Sequence, residues 1–145
     1  MSDSISTSSA PKPVGSYPHA RRVGNLLFLS GVGPRVAGSG NGDSKVPGLE
    51  ISERGEIIAF DFEAQVHAVF SNVKAILEAS GSSWEELVDI QVFLVNMSRD
   101  FATFNRIYAS YFSDLGENRP CRTTVEVNCL PTPIAIELKC IASVN

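Results

Sequence analysis

PCRTTVEVNCLPTPIAIELKC, residues 120–140, is the stretch on which the reading of the fold turns. It reads as two strands, Arg122–Leu130 and Ile134–Val144, joined across Pro131-Thr132-Pro133. Aliphatic and β-branched residues suit a sheet interior, and the prolines punctuate a turn. Two charges, Arg122 and Glu137, stand at positions where a buried strand has none. An ionised side chain is tolerated there when it is paired or when it faces a ligand. With Leu130–Pro133 as a hairpin turn, Glu137 falls opposite Glu126 and Arg122 opposite Ile141. The two charges are then four residues apart along the ladder, roughly 13 Å at about 3.3 Å per residue. They do not neutralise each other within one hairpin. Either each has its own partner, or they converge on one site by way of a neighbouring subunit.

Upstream, Tyr17–Arg22 and Leu26–Ser30 read as short strands joined at Val23-Gly24-Asn25. Gly31–Glu50 is rich in Gly, Ser, Asn and Pro and is expected to be a mobile loop. It carries neither the GxxxxGK[ST] nor the GxGxxG spacing that cradles phosphates. Glu56–Ala59 reads as a further short strand. Phe62, Val66, Val69, Phe70, Val73, Ile76 and Leu77 recur with a 3.6-residue period, which predicts a helix from Asp61 to Ser80. Asp61 suits its N-cap and Gly81 its C-terminal stop. Leu87–Val95 is a strand, and a second helix runs from Ser98 or Asp100 to Phe112. Its aromatic stripe (Phe101, Phe104, Tyr108, Tyr111 and Phe112) is read as core. The order ββ(β)αβαββ is that of an α+β domain whose two helices cover one sheet face. Leu27, Leu29, Val125 and Val127 alternate with apolar or mildly polar neighbours, so oligomerisation is expected to bury the other face.

A chain of 145 residues, 43% hydrophobic and 19% charged, is one globular domain, expected over 16–145 after a flexible Ser-rich leader, 1–15. Its net charge of −4 disfavours a nucleic-acid partner. No apolar run is long enough to span a bilayer, and the leader lacks the basic and apolar regions of a secretory signal. Three cysteines without CxxC spacing argue for a reducing compartment, taken as the cytoplasm. His19 and His67 have no metal-ligand spacing, and His67 falls outside the apolar stripe.

Chemistry leaves several positions open. Arg122 either forks onto a substrate carboxylate or forms an ion pair with Asp89, Glu126 or a helix carboxylate. Glu137 either holds a water or is a satisfied interface carboxylate. Asn105 lies beside the aromatic stripe, and Tyr17 and Ser30 end strands next to glycines, where a ligand can approach. Cys121 and Thr124 flank Arg122 without a Cys–His pairing that would support covalent catalysis.

The segment Pro120–Val127, Leu130-Pro131 and Ile136-Glu137-Leu138 resembles the signature of the Rid/YjgF family of reactive-intermediate imine/enamine deaminases. The likeness extends upstream through Tyr17, the LLFLSG run ending in Ser30-Gly31, Ala64-Gln65, Asn72 and Phe101–Asn105. It implies a chorismate-mutase-like mixed sheet with two helices on one face, and a homotrimer with a central barrel-like core. It also implies sites between subunits, a small carboxylate substrate and no cofactor. Arg122 corresponds to the carboxylate-binding arginine and Glu137 to the water-positioning glutamate; Tyr17, Ser30, Gly31 and Asn105 match positions lining the cleft. Members acting on 2-aminoacrylate usually carry cysteine where this chain has Thr124. The motifs Tyr17–Gly24, Pro120–Thr124 and Pro131–Leu138 are instead similar to the branch that deaminates 2-aminomuconate, a dicarboxylate of aromatic degradation. A second carboxylate needs a second donor, for which His19, Arg21 and Arg22 are candidates. The alternatives are a general enamine/imine deaminase and a non-catalytic carboxylate-binding protein.

Overall fold

Both helices form where the periodicity puts them. In the computed structural model, which describes residues 2–40, 43, 45–131 and 133–145, α1 is Phe62–Ala79 and α2 is Met97–Tyr111. Thr132 of the expected turn, and Asn41, Gly42 and Ser44 of the glycine-rich segment, lie outside the described residues. The Asp61 carboxylate caps α1 by accepting from the Ala64 amide at 3.1 Å, and Gly81 follows the last turn at φ +78°, a conformation glycine adopts freely. The periodic residues of α1 are buried, with Phe70 fully so and edge-on to Phe104, Tyr108 and Tyr111. Removing the Phe70 ring costs about 3–5 kcal/mol, because such a core does not collapse into the gap. Helix α2 starts one residue before Ser98, the earlier of its two expected starts. Asn96 caps it, accepting from Arg99 N at 3.1 Å, and Glu126 accepts from Met97 N at 2.8 Å. These acceptors satisfy two of the amides a helix start leaves without partners.

Six strands form the main sheet: β1 (Ser2–Ile5), β2 (Ala20–Val23), β3 (Leu26–Leu29), β6 (Leu87–Leu94), β7 (Cys121–Glu126) and β8 (Ile136–Ser143). A small separate hairpin pairs β4 (Glu50–Ile51) with β5 (Ile57–Ala59). The main order is β1-β2-β3-β8-β6-β7, antiparallel except for the β6–β7 pair. This is an α+β fold with two helices on one face of a mixed sheet. No helix among the described residues is long and apolar enough to cross a membrane.

Three expectations need correction. The final two strands are not a hairpin: β6 lies between β7 and β8 and pairs with both. Helix α2 is the crossover that returns β7 parallel to β6, as a βαβ unit requires. The described residues between Glu126 and Ile136 then lead to the far side of β6, so the prolines stud a bridging segment instead of a tight turn. Arg122 pairs with Ile90, and Glu137 with Phe93. The leader is also not a free arm. β1 closes the edge of β2, with Ser4 opposite Arg21 and Ile5 opposite Ala20, which satisfies backbone groups an open edge exposes. Ala10 is 1% exposed. Nor does the Gly31–Glu50 segment hang free where it is described. Val32 bridges Leu138, and the Asn72 amide of α1 donates to Gly33 O at 2.9 Å and Arg35 O at 2.7 Å.

Strand alternation divides the charges. Ile90 and Phe93 are three residues apart on β6, so their strand partners Arg122 and Glu137 point to opposite faces. On the helix side lie Leu27, Leu29, Ile90, Val92, Leu94, Ile136, Leu138 and Cys140, all buried. The uncovered side carries Phe28 and Val125, exposed at 37% and 40%, with half-buried Phe93 and Ile141. Leu27 and Leu29, expected to need an oligomer for cover, are covered by the helices; their neighbours Leu26 and Phe28 face outward instead.

Candidate active site

Arg122 lies on the edge strand β7, beneath α2. Its Nη2 donates to Asn105 Oδ1 at 2.8 Å. The guanidinium carbon is 4.7 Å from the Tyr108 ring centroid, 5.4 Å from Phe104 and 5.9 Å from Phe101. Phe101, Asn105 and Tyr108 follow the i, i+4, i+7 spacing of one helix face, so α2 presents them together. Among the described residues no carboxylate lies within ion-pair distance of Arg122. Of the partners considered from sequence, Glu126 is committed to the start of α2 and Asp89 falls on the other sheet face. The cation is thus held by an amide and π faces, which fix its position without cancelling its charge. Burial pushes the Tyr108 hydroxyl up to about 12, with Arg122 acting against that rise, so Tyr108 stays protonated at neutral pH. The Tyr108 hydroxyl and Thr124 Oγ1 are both buried without a hydrogen-bond partner among the described residues. Thr124 follows Arg122 by two residues and so shares its face.

Glu137 is half-buried on the uncovered face, and that burial raises its pKa above the ordinary carboxylate value. Its carboxyl carbon would lie 3.0 Å from a Cβ at position 31, so Gly31 allows the close approach. Gly31 also lines a cleft with Pro11, Pro13, Tyr17, Pro18, His19, Ser30 and Arg35, of about 30 Å³. That is room for about two waters. Ser30 is oriented there by its Oγ donating to Pro18 O at 2.7 Å.

Within one chain, then, the expected site residues fall into two groups. Arg122, Asn105 and Thr124 gather under α2; Glu137 and Gly31 meet at the other face, where Gly31 adjoins the cleft of Tyr17, His19 and Ser30. Arg122 and Glu137 stay two strand spacings apart across the sheet, about 10 Å, and three residues apart along it, about 10 Å more, with the sheet between their side chains. His19 does not fit the role of donor to a second carboxylate. Its Nδ1 accepts from Thr7 N at 3.2 Å and its Nε2 lies 2.7 Å from Pro11 O, so both ring nitrogens are committed to the leader. The Arg22 Nε is committed to Gly24 O at 2.9 Å across its own turn. Sequence reasoning missed Phe104 and Tyr108 as the bed of Arg122, since an aromatic stripe reads as core. The shared face of Phe101, Asn105 and Tyr108 was the available signal.

A family model described as endoribonuclease L-PSP matches residues 7–144. A RutC family protein of Pyrococcus horikoshii is 40% identical over 142 residues, covering 98% of both chains. The 2-iminobutanoate/2-iminopropanoate deaminase of Escherichia coli is 34% identical over 145 residues, covering 98% of both. Among solved structures, Escherichia coli TdcF with bound serine superposes with a TM-score of 0.81 at 29% identity, covering 99% of both chains. Sequence motifs, sheet topology and these likenesses agree: the chain belongs to the endoribonuclease L-PSP family of RutC and Rid proteins.

Proposed function

We propose that this chain is a cofactor-independent imine/enamine deaminase, working as a homotrimer with sites between subunits, and that its substrate is 2-aminomuconate. The observation that carries the reading is Arg122, a half-buried guanidinium on an aromatic bed with no carboxylate partner among the described residues. A positioned cation without a counter-ion is a receptor for an anion. The substrate carboxylate docks there, with the neighbouring Thr124 hydroxyl within the same pocket. Glu137 of the adjacent subunit approaches from its uncovered sheet face, with Tyr17, Ser30 and Gly31 around it.

The reaction follows from those positions. The enamine tautomerises to the imine, water adds at C2, and the C2–N bond breaks to release ammonia. The product is 4-oxalocrotonate, or its enol 2-hydroxymuconate. Arg122 orients the acid and stabilises charge that develops beside it. Glu137, with a carboxylate pKa raised by burial, takes a proton from the attacking water and returns one to the leaving amine. Its burial favours the conjugate acid relative to a fully solvated carboxylate.

A broader deaminase of short 2-imino acids is favoured by the name of the Escherichia coli relative. Thr124, in the place where cysteine usually stands in members acting on 2-aminoacrylate, favours the diacid. One assay separates the readings: ammonia release from 2-aminomuconate and from enzymatically generated 2-aminoacrylate. Turnover of the first alone supports the proposal, turnover of the second alone supports the broader enzyme, and turnover of neither leaves a carboxylate-binding protein.

A further inference from the structure

Strand β8 carries a second charge besides Glu137. Lys139 lies two residues on, so it shares the uncovered face, opposite Gln91 of β6. The two charges do not pair: among the described residues no ion pair joins them. Lys139 Nζ donates instead to the carbonyl of Leu29, the last residue of β3. The pairing of β3 with β8 gives that carbonyl its importance. Leu26 lies opposite Ser143, Leu27 opposite Ala142 and Phe28 opposite Ile141. The next pair is Val32 with Leu138, which exchange N–H···O bonds of 2.8 and 2.9 Å. Three residues (29, 30 and 31) thus stand opposite two (139 and 140), and the extra one makes a β-bulge. A bulge bends its strand and re-aims the residues within it. Here those residues are Leu29, Ser30 and Gly31, and Gly31 is the one that lies against the Glu137 carboxylate.

We infer that Lys139 is a positioning residue: by holding the Leu29 carbonyl it fixes the bulge that sets Gly31 against Glu137. The inference rests on the deaminase reading above and deepens it. On its other side the bulge is held by Ser30, whose N–H donates to His19 O at 2.9 Å and whose Oγ donates to Pro18 O at 2.7 Å. The Lys139 bond ties the same turn of chain to β8, just ahead of the Val32 bridge. A lysine in this role spends a donor on a neutral carbonyl and leaves the carboxylate free to exchange protons with water. Glu137 shares its face with Lys139, with Asp89 on β6, Cys121 on β7 and Arg21 on β2, yet burial is what raises its pKa. Gly31, packed on the carboxylate, contributes to that burial.

The test compares wild type with Lys139→Met, which keeps an apolar stem of similar length and removes the donor. In ammonia-release kinetics on 2-aminomuconate the variant loses roughly 10- to 100-fold in kcat with KM within about threefold, since Arg122 still holds the acid. Lys139→Arg, which keeps a donor, stays within about threefold of wild type in kcat. An unchanged kcat in Lys139→Met, a loss carried by KM, or no rescue by arginine overturns the inference. Carbon-13 NMR of the Glu137 carboxyl keeps the test independent of turnover. Release of Gly31 lets water reach the carboxylate, so its pKa falls in Lys139→Met toward the ordinary value. Loss of a nearby positive charge alone would raise it, so an unchanged or higher pKa overturns the inference. If Lys139→Met does not assemble, Lys139→Gln, with a shorter and neutral side chain, carries the same comparisons. Absence of ammonia from wild type, with the pKa falling as expected in the variant, would instead fault only the deaminase reading.

Discussion

The two faces of the main sheet hold their charged residues on different terms. Under the helices, Arg122 sits against Tyr108 and Phe104 with its donor set by Asn105, on a bed that the chain itself supplies. On the uncovered face, Glu137 lies opposite Phe93, with its carboxylate in contact range of Gly31 and its pKa raised by burial. The first arrangement is closed and pre-organised; the second is open and takes its final form from whatever covers the face. On the proposed reading Arg122 and Glu137 are two halves, and one chain supplies one of each to different sites.

The largest expected effect comes from the closed half. Arg122→Ala lowers kcat/KM for deamination by about 10²–10³-fold or more, while circular dichroism and oligomer mass stay unchanged. Arg122→Lys does not restore it, because an ammonium cannot fork onto a carboxylate or lie flat on Tyr108. Parallel loss of assembly and activity would make Arg122 a structural residue.

The open half is tested by pH. Burial raises the folded-state pKa of Glu137, so the native protein keeps its proton to higher pH than the unfolded chain. Stability then falls as pH rises from the ordinary carboxylate range through the raised value, and the cost is absent at lower pH. Urea unfolding of wild type and Glu137→Gln between pH 4 and 8 therefore shows wild type losing ground to the variant as pH rises. The opposite trend would mean that the folded protein stabilises the ionised form.

The smallest effect separates ring from hydroxyl at Tyr108. The hydroxyl is buried without a partner among the described residues, so Tyr108→Phe leaves kcat/KM within about twofold and is neutral or slightly stabilising. Tyr108→Leu removes the π face and raises KM several-fold. If Tyr108→Phe were as damaging as Tyr108→Leu, the hydroxyl would be a ligand contact.

Helix α1 and the interior strand β6 were legible because periodicity and composition are local signals, and Asp61 and Gly81 mark the ends of α1. Arg122 and Glu137 were legible as charges out of place. Their relation was not, because strand pairing is a long-range choice that local patterns do not encode. Proline at 131 and 133 looked like a turn, yet the crossover by α2 puts β6 between the two final strands. The conclusion that the charges do not pair survives, but for another reason: they lie on opposite faces. The leader misled similarly. Its Ser-rich composition says nothing about an open edge on β2, and β1 forms because that edge exists. His19 drew notice as a donor and turns out to be the peg that ties the leader down through Thr7 and Pro11.

The most direct test of the shared site is subunit complementation. Arg122→Ala and Glu137→Gln proteins, each inactive alone, are unfolded, mixed in equal amounts and refolded together. If each site takes Arg122 from one subunit and Glu137 from the next, random assembly gives intact pairs at about one site in four, and about a quarter of wild-type activity returns. If both residues serve a site within one subunit, every site in the mixture lacks one of them, and no activity returns.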